Sequence, residues 1–264
     1  LMPCDGQSMY LTAGGSQLWC ASYGQGVCRF SNPLSGGDRA PNVCLTNGGT
    51  LTHGPGVSVW VDETRNVLYA TSDNGNQILA WNNASSIASD VLPSRTMTVS
   101  GGLMVRCIVG DAASDRLFII REKDGQVPEL AVLDGASQRN GFAPASRVIP
   151  GIQPGPHGLA YDATHDLLYV GISDGGTVGV ARIANASTTT DAAGSPVLTG
   201  AATGIGGQVT HLAVFPDTDL LFVGVGGGNL LAFEDAGSVS GNVAPLKQEK
   251  LATFMVSGLV WESG

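Results

Sequence analysis

Apolar residues occur along the chain in short runs that are separated by polar, glycine-containing turns. A short apolar strand is followed by a turn that contains Asp, and the turn leads to Leu, an aromatic residue and a second apolar strand. This unit first appears as Val57–Asp62 followed by Val67–Thr71. It returns at Cys107–Asp111 with Arg116–Ile119, at Gly158–Asp162 with Leu167–Gly171, and at His211–Phe215 with Leu220–Gly224. Such runs, bounded by turn residues, predict β-strands.

A third and a fourth strand follow in each unit. The third strands are predicted at Gln77–Trp81, Glu129–Leu133, Thr177–Ala181 and Asn229–Phe233. After a polar stretch, segments such as Pro93–Met97 and Ala145–Ile149 begin the fourth strand. Four short strands in every ~50 residues are typical of a β-propeller blade. The sequence therefore predicts an all-β propeller.

The first strands begin near Ser58, Cys107, Gly158, His211 and Gly258, which predicts five blades. Only Gly258–Glu262 of the last unit precedes the end of the sequence, while Ser8–Thr12 matches a second strand and Gln17–Ala21 a third. We therefore expect the C-terminal strand to pair with the N-terminal blade and close the ring. The predicted blades of this single domain, 1–264, are 258–264 with 1–50, 57–102, 106–152, 157–208 and 210–256.

A second alignment treats Met9–Ala13 as a first strand and Val27–Phe30 as a third. The N-terminal blade would then be complete without the C-terminus. In that alternative, Gly258–Gly264 begins a sixth, incomplete blade.

Composition narrows the choice of function. Only 13% of the 264 residues are charged, the net charge is −9, and no basic cluster occurs. Nucleic-acid binding is therefore not expected, because phosphate contacts need Lys and Arg. No uninterrupted apolar run is long enough to predict a transmembrane helix. The 38 glycines fit a fold rich in tight turns.

The repeat resembles the NHL and YVTN-type propeller repeats of secreted bacterial proteins. The resemblance extends over essentially the whole chain, through the acidic turn, the Leu-(Tyr/Phe)-Val core and the third strand. These families include lactonases, lyases and binding modules, so the resemblance implies the fold and does not select an activity.

Four of the five cysteines fall within the first 44 residues, in the one blade that carries about ten extra residues, Tyr23–Asn32. The sequence contains no Cys-x-x-Cys pair, so it suggests neither a zinc-binding nor a redox motif. The pattern predicts disulfides Cys20–Cys28 and Cys4–Cys44, and with them an extracellular, periplasmic or cell-surface location. The sequence begins with Leu1 rather than Met, which fits a mature form from which a signal peptide has been removed. Buried thiols in a cytosolic protein remain the alternative.

Candidate chemistry lies where the first strands open, because the innermost strands line a propeller's channel. Arg106, His157 and His211 are candidate ligand-binding residues at this channel mouth. Arg106 could bind an anionic ligand, or it could pair with Asp111 or another neighbouring acid. His157 and His211, with His53 or Cys107, could hold a divalent metal such as zinc. His211 is offset by one residue from the position of His157, however, so polar lining of the channel is the alternative. Asp62, Asp111 and Asp162 share one repeat position, which suggests either calcium or Asx turns.

Three functions follow from these features. The first is a secreted or cell-surface binding or structural module without catalysis, whose partner is a protein or a glycan. The second is a metal-dependent lyase or lactonase that uses the channel-mouth histidines. The third is a subunit of an extracellular appendage or surface layer, since low charge and many small residues suit lateral self-association.

Overall fold

The computed structural model describes residues 8–22, 26–35, 40–46, 55–72, 75–99, 104–122, 127–174 and 176–251. Strands dominate these residues, and the helical elements among them are short 3-10 turns. The strands of the first two blades are β1 Ser8–Leu11, β2 Gln17–Ser22, β3 Gly26–Ser31, β4 Val43–Leu45, β5 Pro55–Asp62, β6 Val67–Ser72, β7 Gln77–Asn82 and β8 Arg95–Thr98.

The remaining strands repeat the same pattern. They are β9 Met104–Asp111, β10 Arg116–Glu122, β11 Glu129–Asp134, β12 Gly141–Phe142, β13 Arg147–Ile149, β14 Pro154–Asp162, β15 Leu167–Asp174, β16 Thr177–Ala184, β17 Val197–Thr199, β18 Val209–Phe215, β19 Leu220–Val225, β20 Asn229–Phe233 and β21 Lys247–Lys250.

These strands form five sheets, and the predicted all-β, five-bladed β-propeller is confirmed. The sheets have the orders β1-β2-β3-β4, β5-β6-β7-β8 with β12 added beside β8, β9-β10-β11-β13, β14-β15-β16-β17 and β18-β19-β20-β21. The first two sheets and strands β9 and β10 belong to one compact unit, and the fourth and fifth sheets belong to a second. Each unit has its own apolar core. Trp19, Leu68 and Trp81 pack in the first unit, and Tyr169, Val223 and Phe233 in the second.

The N-terminal blade takes its four described strands from residues 8–45 alone. The prediction that Ser8–Thr12 is a second strand is wrong, because β1 holds the position of a first strand. Ser8 Oγ accepts a hydrogen bond from Val59 N (3.1 Å), just as Ser58 Oγ in the first strand β5 accepts one from Ile108 N (3.1 Å). The supposed ten-residue insertion therefore contains β3. The predicted pairing of Gly258–Gly264 lies outside the described residues.

The disulfide pairing also differs from the prediction. Cys28 is bonded to Cys44, with the two Cα atoms 4.0 Å apart, so the predicted pairs Cys20–Cys28 and Cys4–Cys44 are both wrong. Cys28 lies on β3 between β2 and β4, directly opposite both Cys20 and Cys44 in the strand registers. Either neighbour fits the sequence pattern equally well. Cys20 is itself disulfide-bonded, and Cys4 lies outside the described residues.

In four blades, a repeated turn contact holds the loop that follows the third strand. In the fourth blade the backbone oxygen of Asp166 accepts from Ala186 N (3.2 Å), and its carboxylate accepts from Ser187 N (2.8 Å) and Ser187 Oγ (2.6 Å). Asp166 has a φ of +53°, a region that Asn and Asp tolerate better than most residues. The contact of a backbone N–H with the side-chain oxygen recurs at Asn66, Asp115 and Asp219, which accept from Ser85 N, Ser137 N and Gly237 N and all have positive φ. Asx chemistry therefore fixes one loop per blade in four blades.

Candidate functional site

The openings of the first strands share a common register. Four apolar residues, Val59, Ile108, Leu159 and Leu212, each lie opposite the same position of the second strand in their own blade. The residues just before them are Ser58, Cys107, Gly158 and His211, which are therefore equivalent. His157 precedes Gly158, so His157 and His211 open their strands one register position apart.

The two histidines lie in adjacent blades of the second unit, and both are partly exposed. The pairing registers shift between Pro154 and Leu159 and between Val209 and His211, so each strand is irregular where its histidine lies. Within the described ranges, no three His, Cys, Asp or Glu side chains come together as ligands for a metal ion. His53, the third candidate ligand, lies outside those ranges.

Arg106 is paired with a carboxylate on the neighbouring strand. Its Nε lies 2.5 Å from Glu122 Oε1, and both side chains are largely buried. The sequence offered either an anionic ligand or a neighbouring acid as the partner of this guanidinium. In the structure the partner is the acid Glu122, because Arg106 and Glu122 lie near the paired ends of the adjacent antiparallel strands β9 and β10.

Ser58 and Cys107 occupy equivalent positions and contact each other. Ser58 Oγ accepts from Ile108 N and lies 3.8 Å from Cys107 Sγ. Cys107 is partly exposed and carries a thiol rather than a disulfide. This pair connects the second and third blades near the start of their first strands.

The three equivalent acids form Asx turns. Asp62 Oδ1 accepts from Arg65 N (2.9 Å), Asp111 Oδ1 from Ala113 N (3.1 Å), and Asp162 Oδ1 from Thr164 N (2.8 Å). All three carboxylates are buried. Their register position is explained by turn formation, which was one of the two alternatives from the sequence.

One of these turns also orders a histidine. His165 Nδ1 lies 2.7 Å from Asp162 Oδ2, and the imidazole is 56% exposed while the carboxylate is 3% exposed. The hydrogen bond with Asp162 and the charge of Asp162 raise the pKa of His165, with a smaller contribution from Asp219.

A pocket of about 280 Å³ opens between the first and second blades. Most of its lining is polar, and includes Thr12, Ser16, Gln17, Trp19, Glu63 and Asn66. Glu63 Oε1 accepts hydrogen bonds from Tyr10 Oη and from Ala13 N, both at 2.9 Å. Burial of Tyr10 and the charge of Glu63 raise the pKa of this tyrosine. The carboxylate therefore joins the two blades at the pocket.

Trp19 is among the residues that line this pocket, but its indole N–H is closed off from solvent. Its side chain is fully buried, and its Nε1–H has no acceptor among the described residues. The Arg29 guanidinium lies over the indole, with Cζ 5.7 Å from the ring centroid, and donates from Nη1 to Ser85 O (3.0 Å). Its Nε is likewise buried without a described acceptor. Burial lowers the pKa of Arg29.

A second pocket, of about 360 Å³, lies in the second unit. Gly176, Thr177, Thr199 and Gly200 are among the residues that line it, and none of the described lining residues is ionisable. This pocket therefore offers few groups for specific recognition.

Sequence reasoning did not find the pocket beside Trp19. It singled out neither Trp19 nor Glu63 as a candidate binding residue. The available signal was that Trp19 occupies the aromatic position that Tyr69 and Tyr169 hold in other blades. Each of these aromatic side chains carries a polar atom that needs a hydrogen-bond partner when it is buried. Burial raises the pKa of Tyr69 to about 12.

Comparison with known proteins supports the fold. A scan of family models finds no match, and no curated protein sequence matches either. Among solved structures, the chain is similar to one in a nidogen/laminin complex, with 12% identity, a TM-score of 0.62, and coverage of 95% of this chain and 82% of that one. It is also similar to a luciferin-regenerating enzyme, with 10% identity, a TM-score of 0.67, and coverage of 99% and 81%. At these identities the likeness establishes a propeller fold and no activity.

No helix among the described residues has the length and hydropathy needed to cross a bilayer.

Proposed function

We propose that the protein is a secreted or cell-surface binding module, built on an NHL- or YVTN-type propeller, that has no catalytic activity of its own. The observation that supports this proposal is that reactive groups at the strand openings make structural contacts. Arg106 is paired with Glu122, and Ser58 hydrogen-bonds the backbone of the next blade. Groups held in this way are not available to activate a substrate.

The proposed location is extracellular, periplasmic or on the cell surface. The Cys28–Cys44 disulfide supports it, because such bonds persist in oxidising compartments. We propose a protein or a glycan as the partner. The nidogen/laminin structure is of a protein complex, which supports a binding role on this fold by analogy.

A metal-dependent lyase or lactonase is the second candidate. His157 and His211 lie at adjacent strand openings of one unit, and a luciferin-regenerating enzyme has a similar fold. In this candidate, His157, His211 and either His53 or Cys107 would hold the ion, and Arg106 would have to leave Glu122 to orient an anionic substrate. A surface-layer or appendage subunit is a third candidate, for which sedimentation should reveal self-association.

A parallel screen tests the proposal. Thermal shift against proteins, glycans and metal ions is run beside turnover assays on lactones and esters. We expect a ligand to raise the melting temperature, because binding to the native state alone stabilises it. Saturable turnover that is lost in His157→Ala, but kept in the matched variant His165→Ala, would overturn the proposal.

A further inference from the structure

We infer that the outer edge of β21, Lys247–Lys250, joins two copies of this chain into a dimer with two-fold symmetry. This inference goes beyond the proposed function, because it concerns how the protein associates with itself. The fourth strand of the last blade is open where other fourth strands are covered, and its charge pattern selects a second copy as the partner.

Fourth strands elsewhere are covered along their outer edge by a loop of the following blade. The short strand β12, which belongs to the third blade, pairs in the parallel sense with β8 of the second. Beside β17, Gly241 N donates to Val197 O (2.7 Å), and Gly241 O accepts from Thr199 N (3.0 Å). In these blades the outward-pointing backbone groups of the edge strand therefore have partners.

The edge of β21 is open in the part of the chain that the structure describes. All four of its residues are exposed, and no described strand pairs with its outer side. Leu251 N donates inwards to Gly228 O (2.9 Å). Because backbone groups alternate in direction along a strand, those of Gln248 and Lys250 point away from β20. An exposed row of such donors and acceptors is a template for pairing with another chain.

The charges of β21 do not block that pairing in the usual way. A lysine on an exposed edge ordinarily discourages association. Here Lys247 Nζ lies 3.1 Å from Glu249 Oε1, with the two side chains 69% and 52% exposed. The ammonium of Lys250 is held within its own blade, where it donates to Gly227 O. A partner strand therefore meets one positive and one negative charge on the face that carries Lys247 and Glu249.

Only one register suits two antiparallel copies of β21. A two-fold axis that passes between two residues would place outward-pointing backbone groups opposite inward-pointing ones, so the axis has to pass through a residue. An axis at Lys247, Glu249 or Lys250 would place that residue opposite its own copy, and like charges directly opposite each other are destabilising. Gln248 is the one neutral residue of the strand.

An axis at Gln248 satisfies both the backbone and the charges. The two Gln248 residues then exchange backbone N–H···O=C hydrogen bonds. Each Lys247 lies opposite Glu249 of the second copy, in a non-hydrogen-bonded pair, where cross-strand side chains approach most closely. The sequence of β21 is therefore complementary to itself, which is the condition for an interface that uses the same surface on both copies.

The size of this contact predicts a weak dimer. Four residues on each side are far fewer than the ~20–30 residues of a standard interface. Leu246, which is 58% exposed just before the strand, would lie opposite Lys250 of the second copy and be covered by its alkyl chain. We therefore expect a reversible dimer whose population depends on the protein concentration.

Sedimentation velocity of the full chain over a range of concentrations tests the inference. We expect the average mass to rise with concentration towards that of two chains and to stop there, because two-fold pairing uses up the edge. Higher ionic strength should weaken the dimer, since exposed ion pairs are screened by salt. Growth beyond two chains would overturn the inference and would favour a surface-layer or appendage subunit.

Charge-reversal variants locate the interface. Lys247→Glu and Glu249→Lys each turn both cross-strand ion pairs into like-charge pairs, and each alone should weaken the dimer by about tenfold or more. An equimolar mixture of the two variants should associate again, because their altered strands are complementary to each other. Glu234→Lys is the matched control, since it makes the same charge change at an exposed residue just after β20 and should leave the dimer intact.

The remaining outcomes would overturn the inference. A chain that stays monomeric at every concentration would show that the edge is not used by a second copy and is left to another occupant, such as an extended segment of a different protein. Unchanged dimerisation of Lys247→Glu, or a mixture of the two variants that fails to associate, would show that a dimer forms through another surface. The proposed binding function would stand in each of these cases.

Discussion

Ser58 Oγ accepts a hydrogen bond from the backbone N–H of Ile108 at 3.1 Å, and so links two successive blades through their first strands. Ser8 Oγ makes the equivalent bond with Val59 N at 3.1 Å. The spacing between each serine and its partner is close to one blade repeat. A hydroxyl at the opening of a first strand is thus a joint between blades in the first unit.

Removing this joint should cost stability. In Ser58→Ala the buried N–H of Ile108 loses its acceptor, and leaving a buried donor unsatisfied costs about 1–3 kcal/mol. We expect Ser58→Ala to lower the free energy of unfolding by that amount in urea denaturation. Ser8→Ala is the control, because Ser8 is less buried than Ser58 and water can reach its partner more easily. An equal loss in both variants would contradict the role of burial.

The pair His165–Asp162 should make stability depend on pH. The hydrogen bond to Asp162 raises the pKa of His165 in the folded protein above its usual value near 6.5. The protonated imidazole therefore favours the folded state, and this contribution is complete below about pH 6.5 and is lost as the pH rises through the folded-state pKa.

NMR titration of the His165 imidazole checks this prediction. Asp162→Asn should return the pKa of His165 towards its usual value, since the amide keeps the turn but lacks the charge. Asp111→Asn changes the equivalent acid of another blade and should leave the titration of His165 unchanged. An unchanged His165 titration in Asp162→Asn would contradict the assignment.

The repeated turn contact predicts a difference between two substitutions of Asp166. Asp166→Asn should be well tolerated, because Asn66 holds the same position in another blade with the same contact to a serine. Asp166→Ala should cost about 2 kcal/mol, because it removes the acceptors of Ser187 and places a Cβ-bearing residue without a local hydrogen bond at positive φ. Urea denaturation of both variants measures this difference in the free energy of unfolding. Equal stability of the two would show that the carboxylate contacts contribute nothing.

The disulfide should stabilise the N-terminal blade. Cys28 and Cys44 are 16 residues apart, and closing a loop of about that length is worth about 3 kcal/mol in the unfolded-chain model. We expect Cys44→Ser to lose a comparable amount of stability, whereas Cys107→Ser, at a thiol, should lose much less. Mass spectrometry of non-reduced peptides should recover Cys28 joined to Cys44, and recovery of Cys20 joined to Cys28 would contradict the structure.

The sequence allowed the blade period, the all-β class and most of the strands to be predicted, because alternation of apolar strands and Asx turns is local information. For the first blade it left two alignments open, and the structure agrees with the strand positions of the second, in which Met9–Ala13 is a first strand and Val27–Phe30 a third. The Tyr10-Leu11 segment carries the two residue types of the Leu-aromatic signature in reverse order, and the strand order of the sheet and the contact of Ser8 with Val59 separate the two alignments.

Two features could not be predicted from local pattern. The disulfide partner of Cys28 could not be predicted, because both neighbouring strands carry a cysteine directly opposite Cys28. The pocket beside Trp19 is lined by residues as distant in sequence as Thr12 and Ser85, which meet only when two blades pack. A pocket between the side chains of different blades produces no periodic pattern in the sequence.

Metal content is the most direct test of whether this propeller is a binding module or a metal-dependent enzyme. Elemental analysis is performed on the protein after exchange into metal-free buffer, followed by addition of zinc or calcium and a second exchange. The account predicts that no stoichiometric metal is retained and that a chelator leaves the melting temperature unchanged. Retention of one equivalent per chain, lost in His157→Ala and in His211→Ala, would contradict it.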